Sequence, residues 1–158
     1  CAGARLDSVL RSRVRRDGAN ATVRIAEMIA ASRYVEQLQL VLLQGIAVAG
    51  FNVVDIEVLH RSLGFPVVVV ARRRADWEAI RGALLEKVPG GQRKWRIIER
   101  TGPPRQGAGV WLQTAGIGLD RAAAAVARLA VYSRIPEPLR LAHLIASGFS
   151  DLATRQRV

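Results

Sequence analysis

The sequence predicts an α/β fold, a mixed sheet flanked by helices, and three observations carry that prediction. Two short runs, LQLVLL at 38–43 and PVVVVA at 66–71, are apolar at nearly every position, as strands buried on both faces are. Each run is followed, after turn residues, by a segment with apolar residues at helical spacing. An opening segment, SVLRSRVRR at 8–16, alternates along its length like a half-exposed strand. With 158 residues, 50% of them hydrophobic, residues 1–158 are expected to form one domain with a substantial core.

In chain order, 8–16 reads as a strand near a sheet edge with one basic face, and DGAN at 17–20 turns the chain. Asn20 suits the N-cap of a helix whose Val23, Ala26, Ile29 and Ala30 form one apolar stripe, ending near Tyr34. LQLVLL follows as a buried central strand. Asn52 reads as the next N-cap, with Asp55 at the capping-box position; Ile56, Leu59 and Leu63 face inward, and Gly64 ends the helix. PVVVVA is the second buried strand. RRR at 72–74 emerges from its carboxyl end, and Asp76 caps a helix carrying Trp77, Ile80 and Leu84.

PGGQ at 89–92 breaks the chain before a short helix with Trp95 and Ile98. TGPPRQGAG at 101–109 reads as a mobile flap, since Gly and Pro dominate it. VWLQTA is a further strand, Asp120 caps an Ala-rich helix to Val131, and a last helix lies between Pro136 and Gly148 with a frayed tail after Phe149. Antiparallel strands would thus precede parallel ones, an order shared by ribonuclease H-like nucleases.

Charge points to a class of partner. The net charge is +11, and all but two of the 24 basic side chains are Arg, whose planar fork grips phosphate in two places. Nucleic acid is the partner to expect, although an Arg-rich surface also suits a hot habitat or a biased genome. A single cysteine, Cys1, permits no internal disulfide and no cysteine-based zinc site. The longest apolar run is too short to span a bilayer and no signal-peptide pattern opens the chain, which predicts a soluble cytoplasmic protein.

Standard catalytic motifs are absent. GAG at 107–109 and GIG at 116–118 lack the third Gly of a dinucleotide fingerprint, and no Walker lysine is present. Ser147 has no base placed by sequence, and His60 and His143 are far apart. Carboxylates at strand ends remain. Asp17 follows the basic strand and is a candidate Mg²⁺ or Mn²⁺ ligand, or else an ordinary turn aspartate before Gly. Asp55 and Glu57 equally suit the positive end of a helix. Trp95, Trp111 and Tyr132 read as core fillers, with base stacking the alternative.

RRDGANAT, LLQGIAVAGFNVVDIEVLH, GFPVVVVARR, AGIGLDRAA and RIPEPLRLAHLIASG together resemble, in order and spacing, the archaeal family called domain of unknown function 99, or endonuclease dU. The match runs from about Asp7 to Gly148. The resemblance implies a ribonuclease H-like fold similar to endonuclease V. It further implies metal-assisted cleavage, in DNA repair, of DNA near deaminated bases such as uracil. It places the family's first strand, with an Asp-Asp-Gly-like motif, ahead of residue 1. It also implies an Asp where this chain has Gln44, at the end of the strand LVLLQ. An amide oxygen can touch a metal but brings no charge, so the change, whether natural or engineered, should weaken ion binding.

Two principal readings follow. In the first, the protein is a metal-dependent endonuclease impaired by Gln44, with Asp17 as metal ligand and Arg15, Arg16, Arg72, Arg73 and Arg74 on the nucleic-acid backbone, DNA before RNA. In the second, it is a catalytically inactive nucleic-acid-binding protein of the same fold. A structural or assembly protein, whose basic face meets an acidic partner, is the third class.

Overall fold

A computed structural model of the chain describes residues 5–155. Cys1 lies outside them. Helix α1 spans Ala21–Ala30 and a 3-10 turn Val35–Gln37; strand β1 is Val41–Gln44. A small hairpin, β2 (Ala47–Val48) and β3 (Asn52–Val53), leads to helix α2 (Ile56–Leu63) and strand β4 (Val67–Ala71). Helices α3 (Trp77–Lys87) and α4 (Gly91–Thr101) follow, then strands β5 (Arg105–Gly107) and β6 (Val110–Ala115), and helices α5 (Leu119–Leu129) and α6 (Glu137–Arg155).

The main sheet has the order β1-β4-β6-β5, with β1 and β4 parallel and β6 antiparallel to both β4 and β5. It is a mixed sheet flanked by helices. Strand β4 shows why. Its Val67 and Val69 pack with Ile56 and Leu59 of α2 and Ala21 and Ile29 of α1, whereas Val68 and Val70 pack with Ala122 and Val126 of α5 and Leu139 of α6. Four successive buried valines thus serve two cores on opposite faces, as period-2 alternation requires. A third cluster, with Leu84, Ile98 and Val53 at its centre, joins α3 and α4 to β3.

Several expectations are corrected. The alternating segment 8–16 forms no strand: residues 6–15 make no ladder, because alternation supplies a face but not a neighbouring strand's N–H and C=O groups. In the main sheet the parallel pair comes first along the chain and the antiparallel strands later. Among the described residues β1 is an edge strand rather than a central one, and Leu42 and Leu43 are half-buried. An apolar groove lined by Leu38, Leu40, Leu42, Ile117, Leu129 and Leu139 runs beside it. The expected flap at 101–109 is instead the end of α4 and a hairpin, since Arg105–Gly107 pairs with Val110–Leu112. Helix α1 stops at Ala30 and α5 at Leu129, short of the predicted ends, and α6 continues through Gly148 to Arg155. One helical Gly costs only about 1 kcal/mol and does not stop a helix by itself.

The capping expectations divide. Asp76 caps α3 as predicted, accepting from the Ala79 N–H at 3.0 Å. Asp55, not Asn52, caps α2, accepting from the Val58 N–H at 3.2 Å. Asp120 lies inside the first turn of α5, and Gly118 holds the cap position. Asn52 is in β3 and fully buried. Its Oδ1 accepts from the Ala21 N–H at 3.0 Å, and its Nδ2 donates to the Arg15 carbonyl and to Asn20 Oδ1, both at 2.8 Å. One amide therefore satisfies the first N–H of α1 and closes the turn before it.

Asn52→Ala leaves the buried Ala21 N–H without its partner and takes one donor each from the Arg15 carbonyl and Asn20 Oδ1, at a cost on the order of 1–3 kcal/mol. Thermal melting of the variant should show a clear drop in midpoint, and an unchanged midpoint would mean that the amide network carries no net stability.

Candidate functional site

The strand registers place several sequence-predicted residues at one end of the sheet. Gln44 ends β1 opposite Val70, Ala71 ends β4 opposite Trp111, and Gly107 faces Val110 across the β5–β6 turn. Gln44, the Arg72–Arg74 loop and the β5–β6 turn therefore share the end at which both parallel strands terminate. In open α/β sheets this is the end at which ligands bind, because loops leave the strands there and backbone groups are unpaired. Gln44 is exposed, as are Arg72, Arg73 and Arg74. The Arg74 guanidinium lies 5.9 Å from the centre of the Trp111 ring, a cation–π contact that aligns this arginine with the sheet end.

Asp17 belongs to the turn before α1 and engages the hairpin that follows Gln44. Its backbone has a positive φ of 50°, its N–H donates to the Ala49 carbonyl at 2.9 Å, and its Oδ1 accepts from the Phe51 N–H at 2.8 Å. It thus clasps the tip of the β2–β3 hairpin that follows Gln44. Gly50 at that tip has φ 79°, and a Cβ there would lie 2.3 Å from Asp17 Oδ1. The carboxylate occupies the space that a side chain would need. Its other oxygen, Oδ2, lies 3.8 Å from Arg16 Nε in an exposed pair. Arg15 and Arg16 are exposed on the turn that Asn52 and Asp17 hold, so their positions derive from that network.

Lys94 was not anticipated from the sequence. It is buried on α4 and its Nζ donates to the Asp17 carbonyl, tying the helix to the turn. The available signal was its rarity: the chain uses Lys only at 87 and 94, and a slim stem reaches where a guanidinium does not fit. Asp55, besides capping α2, pairs with Arg100 of α4, and its N–H donates to Thr22 Oγ1 at 2.9 Å. Both Asp55 and Asp17 are committed to holding loops together. Among the described residues no three His, Cys, Asp or Glu side chains gather where a metal ion could be held.

The aromatic residues separate. Trp95 packs edge-on against Trp77 with ring centres 5.4 Å apart, as expected of a core residue. Trp111 is half-buried. Tyr132, expected in the core, is instead 78% exposed. The Arg140 guanidinium lies 5.6 Å from its ring centre and is fixed in turn by Glu137, with Nε donating to Oε2 at 2.8 Å and an Nη to Oε1. The bond to Arg140 holds the Glu137 carboxyl below its ordinary value of 4.5, against a smaller opposing effect of burial.

Comparison with known proteins places this geometry in a family. The family model described as endonuclease dU matches residues 1–150. The chain belongs to the endonuclease dU family. A UPF0215 protein of Deinococcus radiodurans is 54% identical over 147 residues, covering 93% of this chain and 75% of that protein. Another, from Methanosarcina acetivorans, is 46% identical and covers 90% and 76%. The crystal structure of a protein of unknown function from Archaeoglobus fulgidus superposes with a TM-score of 0.90 at 32% identity, covering 94% of this chain and 86% of that one. Membership of the endonuclease dU family points to a nuclease and to nucleic acid as the partner. Among the described residues, no helix is long and apolar enough to cross a membrane.

Two predictions follow from the contacts around Asp17 and Glu137. Gly50→Ala should destabilise by about 2 kcal/mol or more, combining left-handed strain with the clash on Asp17. In the Asp17→Ala background the same change should cost less, and strictly additive unfolding free energies would contradict the contact. Because the folded value of Glu137 is lowered, its contribution is complete above its unfolded value and is lost as pH falls through the folded one. The melting difference between the native chain and Glu137→Gln should be present at about pH 6 and shrink below about pH 4; a constant difference would argue against the pairing.

Proposed function

We propose that this protein is an endonuclease-type protein of ribonuclease H-like, endonuclease V-like fold that acts on DNA containing deaminated bases such as uracil. The observation that carries the reading is the convergence of Gln44 and Arg72–Arg74 at the carboxyl end of the parallel pair, within an endonuclease family. Three adjacent, exposed guanidinium groups there supply bidentate phosphate donors, and the net charge of +11 favours encounter with a polyanion. The Arg15–Arg16 turn extends the same basic character along the loops.

Mg²⁺ or Mn²⁺ is the ion proposed for cleavage, on the strength of the family resemblance. The described residues do not by themselves fit that ion. Gln44 offers a neutral oxygen, Asp17 spends one carboxylate oxygen on the Phe51 N–H, and no cluster of three ligating side chains is present among them. Mg²⁺ takes one or two carboxylates along with substrate oxygens and water, so the loss of a charge at position 44 weakens binding. The same observation favours a second reading, a nucleic-acid-binding protein that does not cleave.

Cleavage of a duplex with one uracil, in Mg²⁺ or Mn²⁺, separates the two when the native chain is compared with Gln44→Asp. We expect faster nicking by the Asp variant. Absence of nicking by both, with binding intact, would leave the non-catalytic reading. Replacing Arg72, Arg73 and Arg74 together by Ala should reduce the slope of log affinity against log salt by about 2 to 3, one phosphate contact per arginine. An unchanged slope would remove this loop from the interface.

A further inference from the structure

The segment 131–134 carries an exposed ring that the sheet-end arginines do not account for. Tyr132 is 78% exposed, the most exposed large apolar residue among the described residues, and Val131 beside it is 52% exposed. The segment is nevertheless anchored. Ser133 Oγ accepts from the Ile135 N–H at 3.2 Å, and Ile135 is buried against Val110 and Leu139. Arg134 lies against the β5–β6 turn, where a Cβ on Gly109 would come within 3.2 Å of its Cδ. The turn is the same one that stands beside Trp111 and Arg74, so the ring is carried at the end of the sheet that holds Gln44 and Arg72–Arg74.

We propose that Tyr132, backed by Arg140, is a stacking platform for an unpaired nucleobase at the edge of the arginine-lined sheet end. This rests on the reading of nucleic acid as the partner and adds a site for the base. Arg140 covers one side of the ring, is held by the buried Glu137, and leaves the ring with most of its surface open to solvent. A ring backed in this way offers a flat apolar face beside a positive charge that Glu137 holds in place. Stacking of this kind tolerates any base, because every base has a π-face, and it selects unpaired over paired nucleotides. The sheet end then joins phosphate contacts from Arg72–Arg74 to a contact with one exposed base, as a protein acting on a displaced nucleotide requires.

The test uses the whole chain and an oligonucleotide in which one unpaired 2-aminopurine interrupts a duplex, read by anisotropy and by 2-aminopurine fluorescence. Tyr132→Ala should weaken binding about five- to a hundredfold, abolish the change in 2-aminopurine fluorescence and leave the salt slope as it was, while Tyr132→Phe and Tyr132→Trp restore both signals. A salt-dependent affinity that Tyr132→Ala does not change would overturn the platform and leave the nucleic-acid reading standing. Failure of the Phe and Trp variants to rescue would also overturn it, since the hydroxyl rather than the ring would then be the contact. No binding by the native chain would remove both.

Discussion

The side chain of Asn52 is the constraint on which the site depends. A fully buried amide in β3 serves three partners from the segment 15–21, and it fixes where that segment meets the sheet. Everything the turn carries follows from this: the clasp of Asp17 on the hairpin tip, the Lys94 bond to its carbonyl, and the exposed stance of Arg15 and Arg16. The energetic asymmetry of buried polar groups explains why one residue can hold so much. Satisfied, the amide adds a modest gain; removed, it strands the buried Ala21 N–H and loosens the turn that the Arg15 carbonyl and Asn20 Oδ1 close. Asp55 repeats the arrangement nearby, capping α2 while engaging Thr22 and Arg100.

The parallel pair supplies the second condition for function. Strands β1 and β4 end side by side, so Gln44, which ends the first, and Arg72–Arg74, which follow the second, are brought to the same end of the sheet. The antiparallel return through β6 adds Trp111 and the β5–β6 turn to the same end, and Arg134, two residues from Tyr132, stands against that turn. Positive charge and exposed ring surface therefore accumulate where the sheet offers no ladder partner. Among the described residues no three metal-ligating side chains gather there. Asp17 and Asp55, two of the acidic residues weighed from the sequence, are both drawn into loop fixation, and position 44 carries an amide.

What the sequence disclosed follows the range of each interaction. Asp76 was legible as a cap because its partner, the Ala79 N–H, lies three residues on, and PVVVVA was legible because burial on two faces leaves a local mark. Asn52 was misread for the opposite reason. Its partners lie more than thirty residues away, and a helix-capping pattern nearby offered a local use for the same side chain. Residues 8–16 have the alternation of a strand and no described neighbour to pair with, whereas 101–109 has the composition of a loop and a neighbour, β6, that makes part of it a strand. Arg72–Arg74 could be found at a strand end from the sequence alone. The exposure of Tyr132 could not, since it depends on how Ile135 and Leu139 seat the following helix.

Whether nucleic acid meets the carboxyl end of the parallel pair is read most directly from a map of contacts rather than from an activity. Backbone amide shifts should be followed by NMR as a uracil-containing duplex is added to the native chain. Perturbations are expected at Gln44, Arg72–Arg74, Trp111 and the β5–β6 turn, and none at the opposite end of the sheet around Pro66 and Gly116. Shifts centred on that opposite end, or none at all, would contradict this placement of the interface.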